Sequence, residues 1–180
     1  SYGDYKNMKS LIRKEDLMNM FDEKKIPYVL SNHAPLYSVK DSQSLRGKIE
    51  GLHTKNLFLK NKKNEYFLFS CLENLKFDIK KVSKSINLGN ISFANEDKLK
   101  LFLGLIPGSV TPFGLLNDKD RVVNFYLDNK IYTSNKINFH PMVNTSTITL
   151  NVTDFINFMI ENNININILD YDNYLIIKRL

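Results

Sequence analysis

The stretch NLFLKNKKNEYFLFS, residues 56–70, restricts the possible folds more than any other part of the chain. Leu57, Phe58 and Leu59, and then Tyr66, Phe67, Leu68 and Phe69, are apolar at every position and do not alternate. That is the pattern of strands with neighbours on both faces. Between the two runs lies a polar loop of Asn and Lys, so the whole reads as a β-hairpin entering a core. The lead-in, GLHTK, sets a glycine, a histidine and a lysine at the mouth of the first buried strand.

Helical segments surround this hairpin. EDLMNMFDEKK (15–25) carries Leu17, Met20 and Phe21 at helical spacing and stops before Pro27. FDIKKVSKSI reads as a helix. NEDKLKLFLG is a helix with Asn95 as cap, acids in its first turn and Gly104 as its end. VTDFINFMIEN follows Asn151 and Asp154 with Phe155, Phe158 and Met159 as its apolar stripe. Ser38 and Asp41 open a short helix through VKDSQSL. YVLSNHA, RVVNFYLD, INFHP, the β-branched TSTITL and ININILDY are strands, the last placed at the sheet centre. IPGSVTPFGLL is a loop held by two prolines and two glycines. The mixture is irregular, which gives one α+β domain over residues 1–180, built around a mixed sheet flanked by helices.

The 180-residue length suits one domain with a true core. The apolar run YFLFSCL is too short to cross a bilayer, and the N-terminal residues lack a secretory pattern. A lone Cys71 excludes an internal disulfide and fits a reducing, cytoplasmic setting; within its apolar run it reads as a small buried hydrophobe. The net charge is +6 and uneven, with Lys60, Lys62, Lys63, Lys76, Lys80, Lys81 and Lys84 in one 25-residue stretch. A phosphate-bearing partner fits that stretch, and so does a solvated surface. Arg is scarce, which argues against dense reading of base edges.

Three histidines, His33, His53 and His140, match no close metal-ligand spacing, so neither a metal nor a cofactor is expected. Gly-x-Ser-x-Gly and the phosphate-binding glycine motifs are both absent. What remains is polar residues at strand mouths and in stiff loops. Lys55 precedes a buried strand, GSVTPFG can present backbone N–H groups to an oxyanion, and His140 sits between an aromatic and a proline. Each taken singly also has a purely structural reading.

Together, GLHTKNLFLK, LIPGSVTPFGLLND and NFHPMVNTSTITL resemble the YbaK/prolyl-tRNA-synthetase-associated domain family, above all its free-standing prolyl-tRNA editing branch. The likeness runs in order from Lys14 to Tyr171. It implies a mixed sheet flanked by helices and hydrolysis of mischarged tRNA(Pro), with alanyl-tRNA(Pro) as the usual substrate. It also implies roles by motif. Lys55 matches the family's essential lysine and Asn56 its pocket neighbour. Gly108 and Ser109 match the loop facing the aminoacyl group, with Val110, Thr111, Pro112 and Phe113 forming a stiff wall. His140 matches the pocket histidine, with Asn144 close behind. SVKDSQSL departs from the pattern, since Lys40 stands where many members carry an acid.

On this likeness the partner is tRNA(Pro) bearing a non-cognate amino acid, with prolyl-tRNA synthetase in trans, and no membrane. Lys60, Lys62 and Lys63 are the candidate tRNA contacts. No side chain is an obvious general base, and the resemblance implies that the substrate's own ribose hydroxyl helps position or activate the water. Two alternatives stay open: a cysteinyl-tRNA deacylase of the same family, and a non-catalytic tRNA-binding or regulatory module.

Overall fold

The computed structural model describes residues 11–36, 40, 41 and 48–180. Its elements run α1 (Lys14–Glu23), β1 (Tyr28–Asn32), β2 (Leu52–Asn61), β3 (Tyr66–Leu72), α2 (Ile79–Ser85), β4 (Ile91–Phe93) and α3 (Glu96–Leu103). A 3-10 helix (Pro112–Asn117) is followed by β5 (Val123–Asp128), α4 (Asn129–Tyr132), β6 (Lys136–Phe139), β7 (Ser146–Asn151), α5 (Val152–Glu161), β8 (Asn167–Asp170) and β9 (Leu175–Arg179). The strands form one mixed sheet in the order β1-β7-β6-β2-β3-β5-β8-β9, with β4 also on β2.

The hairpin forms as expected, β2 and β3 pairing antiparallel from Thr54↔Leu72 to Lys60↔Tyr66. Asn61 closes its turn by accepting from the N–H groups of Lys63 (3.1 Å) and Glu65 (2.9 Å). Strand alternation sends Phe58 and Leu68 to one face and Leu59, Phe67 and Phe69 to the other, so the hairpin divides two apolar layers. α1, α3, α5 and the 3-10 helix cover the first, through Leu17, Phe21, Leu99, Phe113 and Phe158. α2 covers the second through Val82. The cap of α3 is Asn95, whose side chain accepts from Lys98 N–H, and Gly104 ends the helix with φ 65°.

Two expectations need correction. ININILDY is not central: β8 lies one strand in from the edge, between β5 and β9. Its apolar residues are buried by layers above and below the sheet, a pattern that does not report lateral position. The second half of IPGSVTPFGLL is a 3-10 helix, started by Pro112 and capped by Thr111. At Asn151 the helix does begin, but the side chain makes no capping bond. The helix expected through VKDSQSL lies mostly outside the described residues; Lys40 and Asp41 are helical.

One irregularity positions the site. β2 pairs parallel with β6 only at Leu52↔Ile137 and His53↔Asn138. Further along, from Phe58 onward, the same edge of β2 is taken by β4 and Ala94. Between these contacts β2 and β6 part, leaving a fork in the sheet. Gly51 permits the close approach at its base: its φ is +94°, and a Cβ there would sit 3.0 Å from the Lys136 carbonyl oxygen.

Candidate active site

The fork holds a cavity of about 30 Å³ lined by Leu36, His53, Thr54, Asn56, Asn138, Phe139, His140 and Thr147. The pocket is small and partly open to solvent. Asn138 fastens its base. This buried side chain donates to the carbonyls of Glu50 (2.8 Å) and Leu52 (3.2 Å) and accepts from Thr149 Oγ1 (2.5 Å). Thr54 Oγ1 donates to the Asn138 carbonyl at 2.6 Å, tying β2 to β6 a second time.

Of the residues expected at a site, the fork unites Asn56 and His140. Ser70 Oγ donates to Asn56 Oδ1, which fixes that amide. His140 lies just past the end of β6, with Nδ1 3.3 Å from the Ser146 carbonyl. A carbonyl only accepts, so Nδ1 carries the proton and Nε2 is left as an acceptor. Burial lowers the His140 pKa from its ordinary 6.5; the bond to the Ser146 carbonyl opposes this and the nearby His33 reinforces it, so the ring is neutral at neutral pH. His33 in turn sits 2.8 Å from Thr147 Oγ1 and 2.8 Å from the Ala34 carbonyl, orienting a hydroxyl of the cavity wall. Asn144 reaches back to Leu36, whose N–H donates to the Asn144 carbonyl at 3.3 Å.

Lys55 follows from the alternation of β2: its side chain leaves the strand on the face opposite Asn56, above its register partner Cys71. It is half-buried and its ammonium donates to the Leu75 carbonyl. Cys71 is fully buried, and burial pushes its thiol up to about 12, which leaves it unreactive. Gly108 is exposed with φ 88°, while Ser109 is buried and bonds the Ile106 carbonyl through both N–H (3.2 Å) and Oγ (2.8 Å). Gly114 N–H is likewise spent on Thr111. Among residues 108–111, only the Ser109 N–H is spent within the loop, which leaves those of Gly108, Val110 and Thr111.

Val110 packs on the core, and Thr111, Pro112 and Phe113 are buried. Phe113 meets Phe139 edge-on at 5.9 Å between centroids, so the loop's stiff part braces a wall of the cavity. Lys62 and Lys63 are exposed at the hairpin turn, whereas Lys60 leaves β2 on the Phe58 face and is half-buried. His53, Thr54, Asn138 and Thr147 were not singled out as site residues, although all four lie within the three quoted motifs. A larger cleft of about 270 Å³ beside β1 and β7 holds the Lys136–Glu50 ion pair and none of those site residues. Among the described residues no three of His, Cys, Asp or Glu are grouped to hold a metal, and no helix is long and apolar enough to cross a membrane.

Residues 33–158 match the aminoacyl-tRNA editing domain, a span that begins at His33 and contains the whole fork. The chain belongs to that family. The prolyl-tRNA editing protein ProX of Acetoanaerobium sticklandii is 32% identical to it over 142 residues, covering 78% of this chain and 87% of that protein. Prolyl-tRNA synthetase associated domain-containing protein 1 of Xenopus laevis is 30% identical over 151 residues, covering 81% and 89%. The same-named Bos taurus protein is 33% identical over 132 residues, covering 71% and 77%. Among solved structures, a candidate trans-editing enzyme for prolyl-tRNA synthetase superposes with a TM-score of 0.60 at 14% identity, over 79% of this chain and 85% of the other. A hypothetical protein of the same fold gives 0.62 at 12% identity, over 78% and 91%. The fold is thus shared with chains that have little sequence in common with this one.

Proposed function

We propose that this protein is a cytoplasmic hydrolase that deacylates mischarged tRNA(Pro) made by prolyl-tRNA synthetase, and that alanyl-tRNA(Pro) is its substrate. The observation that carries the choice of alanine is the size of the fork cavity, about 30 Å³, against a wall braced from behind by Phe113. An alanine methyl fits such a space. The proline ring adds two methylenes, and a packed aromatic wall resists that intrusion more strongly than contact energy alone would discriminate.

The reaction adds water to the ester carbonyl carbon and breaks its bond to the ribose oxygen, releasing alanine and free tRNA. Lys55 leaves β2 on the face opposite Asn56, so to supply positive charge to the ester end of the substrate its ammonium has to leave the Leu75 carbonyl and reach the ester through the open fork. Gly108, with Val110 and Thr111 beside Ser109, offers N–H groups to the carbonyl oxygen as it gains charge. Asn56, Asn144 and the neutral His140 hold the polar end of the aminoacyl group, and His140 does so through an unprotonated Nε2. The ribose hydroxyl of the substrate positions the water, and no cofactor takes part.

Initial rates on one tRNA(Pro) charged with alanine, cysteine or proline test this reading. The alanyl form is expected to be hydrolysed, the prolyl form spared and the cysteinyl form cut slowly or not at all. Faster cleavage of the cysteinyl form would assign a cysteinyl-tRNA deacylase. Equal cleavage of the prolyl form would end the editing reading.

A further inference from the structure

The lysine-rich stretch acquires a shape that its sequence does not reveal. α2 lies over the face of the hairpin that carries Lys55, with Val82 buried against Leu59 and Phe69 in one apolar cluster. The chain on either side of α2 is tied to β2, near its middle at Lys55 and at its end at Asn61. Before the helix, the Leu75 carbonyl receives the Lys55 ammonium. After it, the Leu88 carbonyl receives Asn61 Nδ2 at 3.0 Å, at the start of the hairpin turn. Lys55 and Asn61 are six residues apart on an extended strand, so the segment from Leu75 to Leu88, with α2 (about 10 Å long) in its middle, bridges about 20 Å from the fork towards the turn.

Exposed lysines follow that line. Lys76 adjoins Leu75, Lys80 and Lys84 stand one helical turn apart on the exposed side of α2, and Lys62 and Lys63 occupy the turn. Lys81 is exposed too, with its ammonium 5.7 Å from the Tyr174 ring. Asp78, the one acid within α2's approach, is occupied as the helix cap, accepting from Lys81 N–H at 3.0 Å. Three lysines elsewhere are paired, Lys24 with Glu161, Lys130 with Asp172 and Lys136 with Glu50, whereas Lys100 and Lys119 are exposed and, among the described residues, unpaired but stand apart from α2 and the hairpin turn. Among the described residues Lys62, Lys63, Lys76, Lys80 and Lys84 form no ion pair.

We infer that these five lysines form a phosphate track for the acceptor arm of tRNA, leading along α2 to Lys55 and the fork. The inference rests on the editing reading and adds to it the surface that holds the nucleic acid. Lysine suits the task, being a point charge that grips phosphates without reading bases, so the track supplies affinity and direction while the fork supplies selectivity. Lys60, on the other face of β2, has no part in it.

The test is the double variant Lys80→Glu/Lys84→Glu beside a charge-matched control, Lys100→Glu/Lys119→Glu, whose exposed lysines lie in α3 and just after the 3-10 helix. Deacylation of charged tRNA is followed from 50 to 300 mM KCl, and binding of uncharged tRNA by fluorescence anisotropy. The track variant is expected to raise KM tenfold or more, with a smaller fall in kcat. The slope of log affinity against log salt should shrink by about 2, near one phosphate contact per lysine. The control should change KM less than threefold. Equal effects in the two variants, or an unchanged salt slope, would overturn the track. Failure of the wild type to hydrolyse either charged tRNA or alanyl-adenosine would sink the editing reading alone, because the anisotropy comparison still decides whether the lysines bind tRNA.

Discussion

Asn138→Ala should loosen the base of the fork, and its cost can be worked from the bonds it breaks. The side chain is 3% exposed and makes three hydrogen bonds, to the Glu50 and Leu52 carbonyls and from Thr149. At about 1 kcal/mol net for each, the loss is about 3 kcal/mol. The two carbonyls belong to exposed residues and can recover water, whereas Thr149, 6% exposed, is left with a stranded hydroxyl. The expected range is therefore about 2–4 kcal/mol, or roughly 6–12 °C in Tm for a chain of this size. Urea unfolding followed by circular dichroism should show a lower midpoint with an unchanged slope. A double-mutant cycle with Thr149→Val should return a coupling of about 1 kcal/mol or more, since each partner strands the other. The kcat/KM for alanyl-tRNA(Pro) should fall at temperatures where the variant is fully folded, because β2 and β6 set the cavity walls. A stability loss below about 0.5 kcal/mol, or strictly additive single effects, would refute the role of Asn138 as the clamp.

Lys55→Ala should fold normally and lose deacylation by orders of magnitude, and Lys55→Arg should restore it only in part because a planar fork is not a point ammonium; near-normal turnover by the alanine variant would remove this lysine from the mechanism. Phe113→Ala, which empties a fully buried position between Phe21, Phe139, Phe155 and Phe158, should cost about 3–5 kcal/mol in urea unfolding. For His140 the folded pKa is depressed below 6.5, so the unfolded chain takes up a proton first as pH falls. Its contribution to stability is complete above 6.5 and declines between that value and the lower native pKa. The acid limb of kcat/KM should accordingly fall below pH 6.5 and move or vanish in His140→Gln; a limb at or above that value would contradict a neutral, half-buried ring.

Much of the fold is legible from neighbours in the chain. Unbroken apolar runs around NKKNE give the hairpin, and Asn95 and Gly104 bound α3, because turn and cap preferences act over three or four residues. β4 and β9 escape such reading. β4 is three residues long, and most of β9 is exposed, so neither carries a burial pattern. The site divides in the same way. Its residue types are visible in three motifs, and alternation alone sets Lys55 and Asn56 on opposite faces of β2. The meeting of Asn56 with His140 is another matter. It depends on β2 and β6 pairing for two residues and then parting, across 84 positions of chain between Thr54 and Asn138. The alignment of the lysines with Lys55 depends in turn on how α2 docks across the hairpin. Local conformational preference is encoded residue by residue, whereas such long-range pairings emerge from satisfying burial and hydrogen bonding over the whole chain at once.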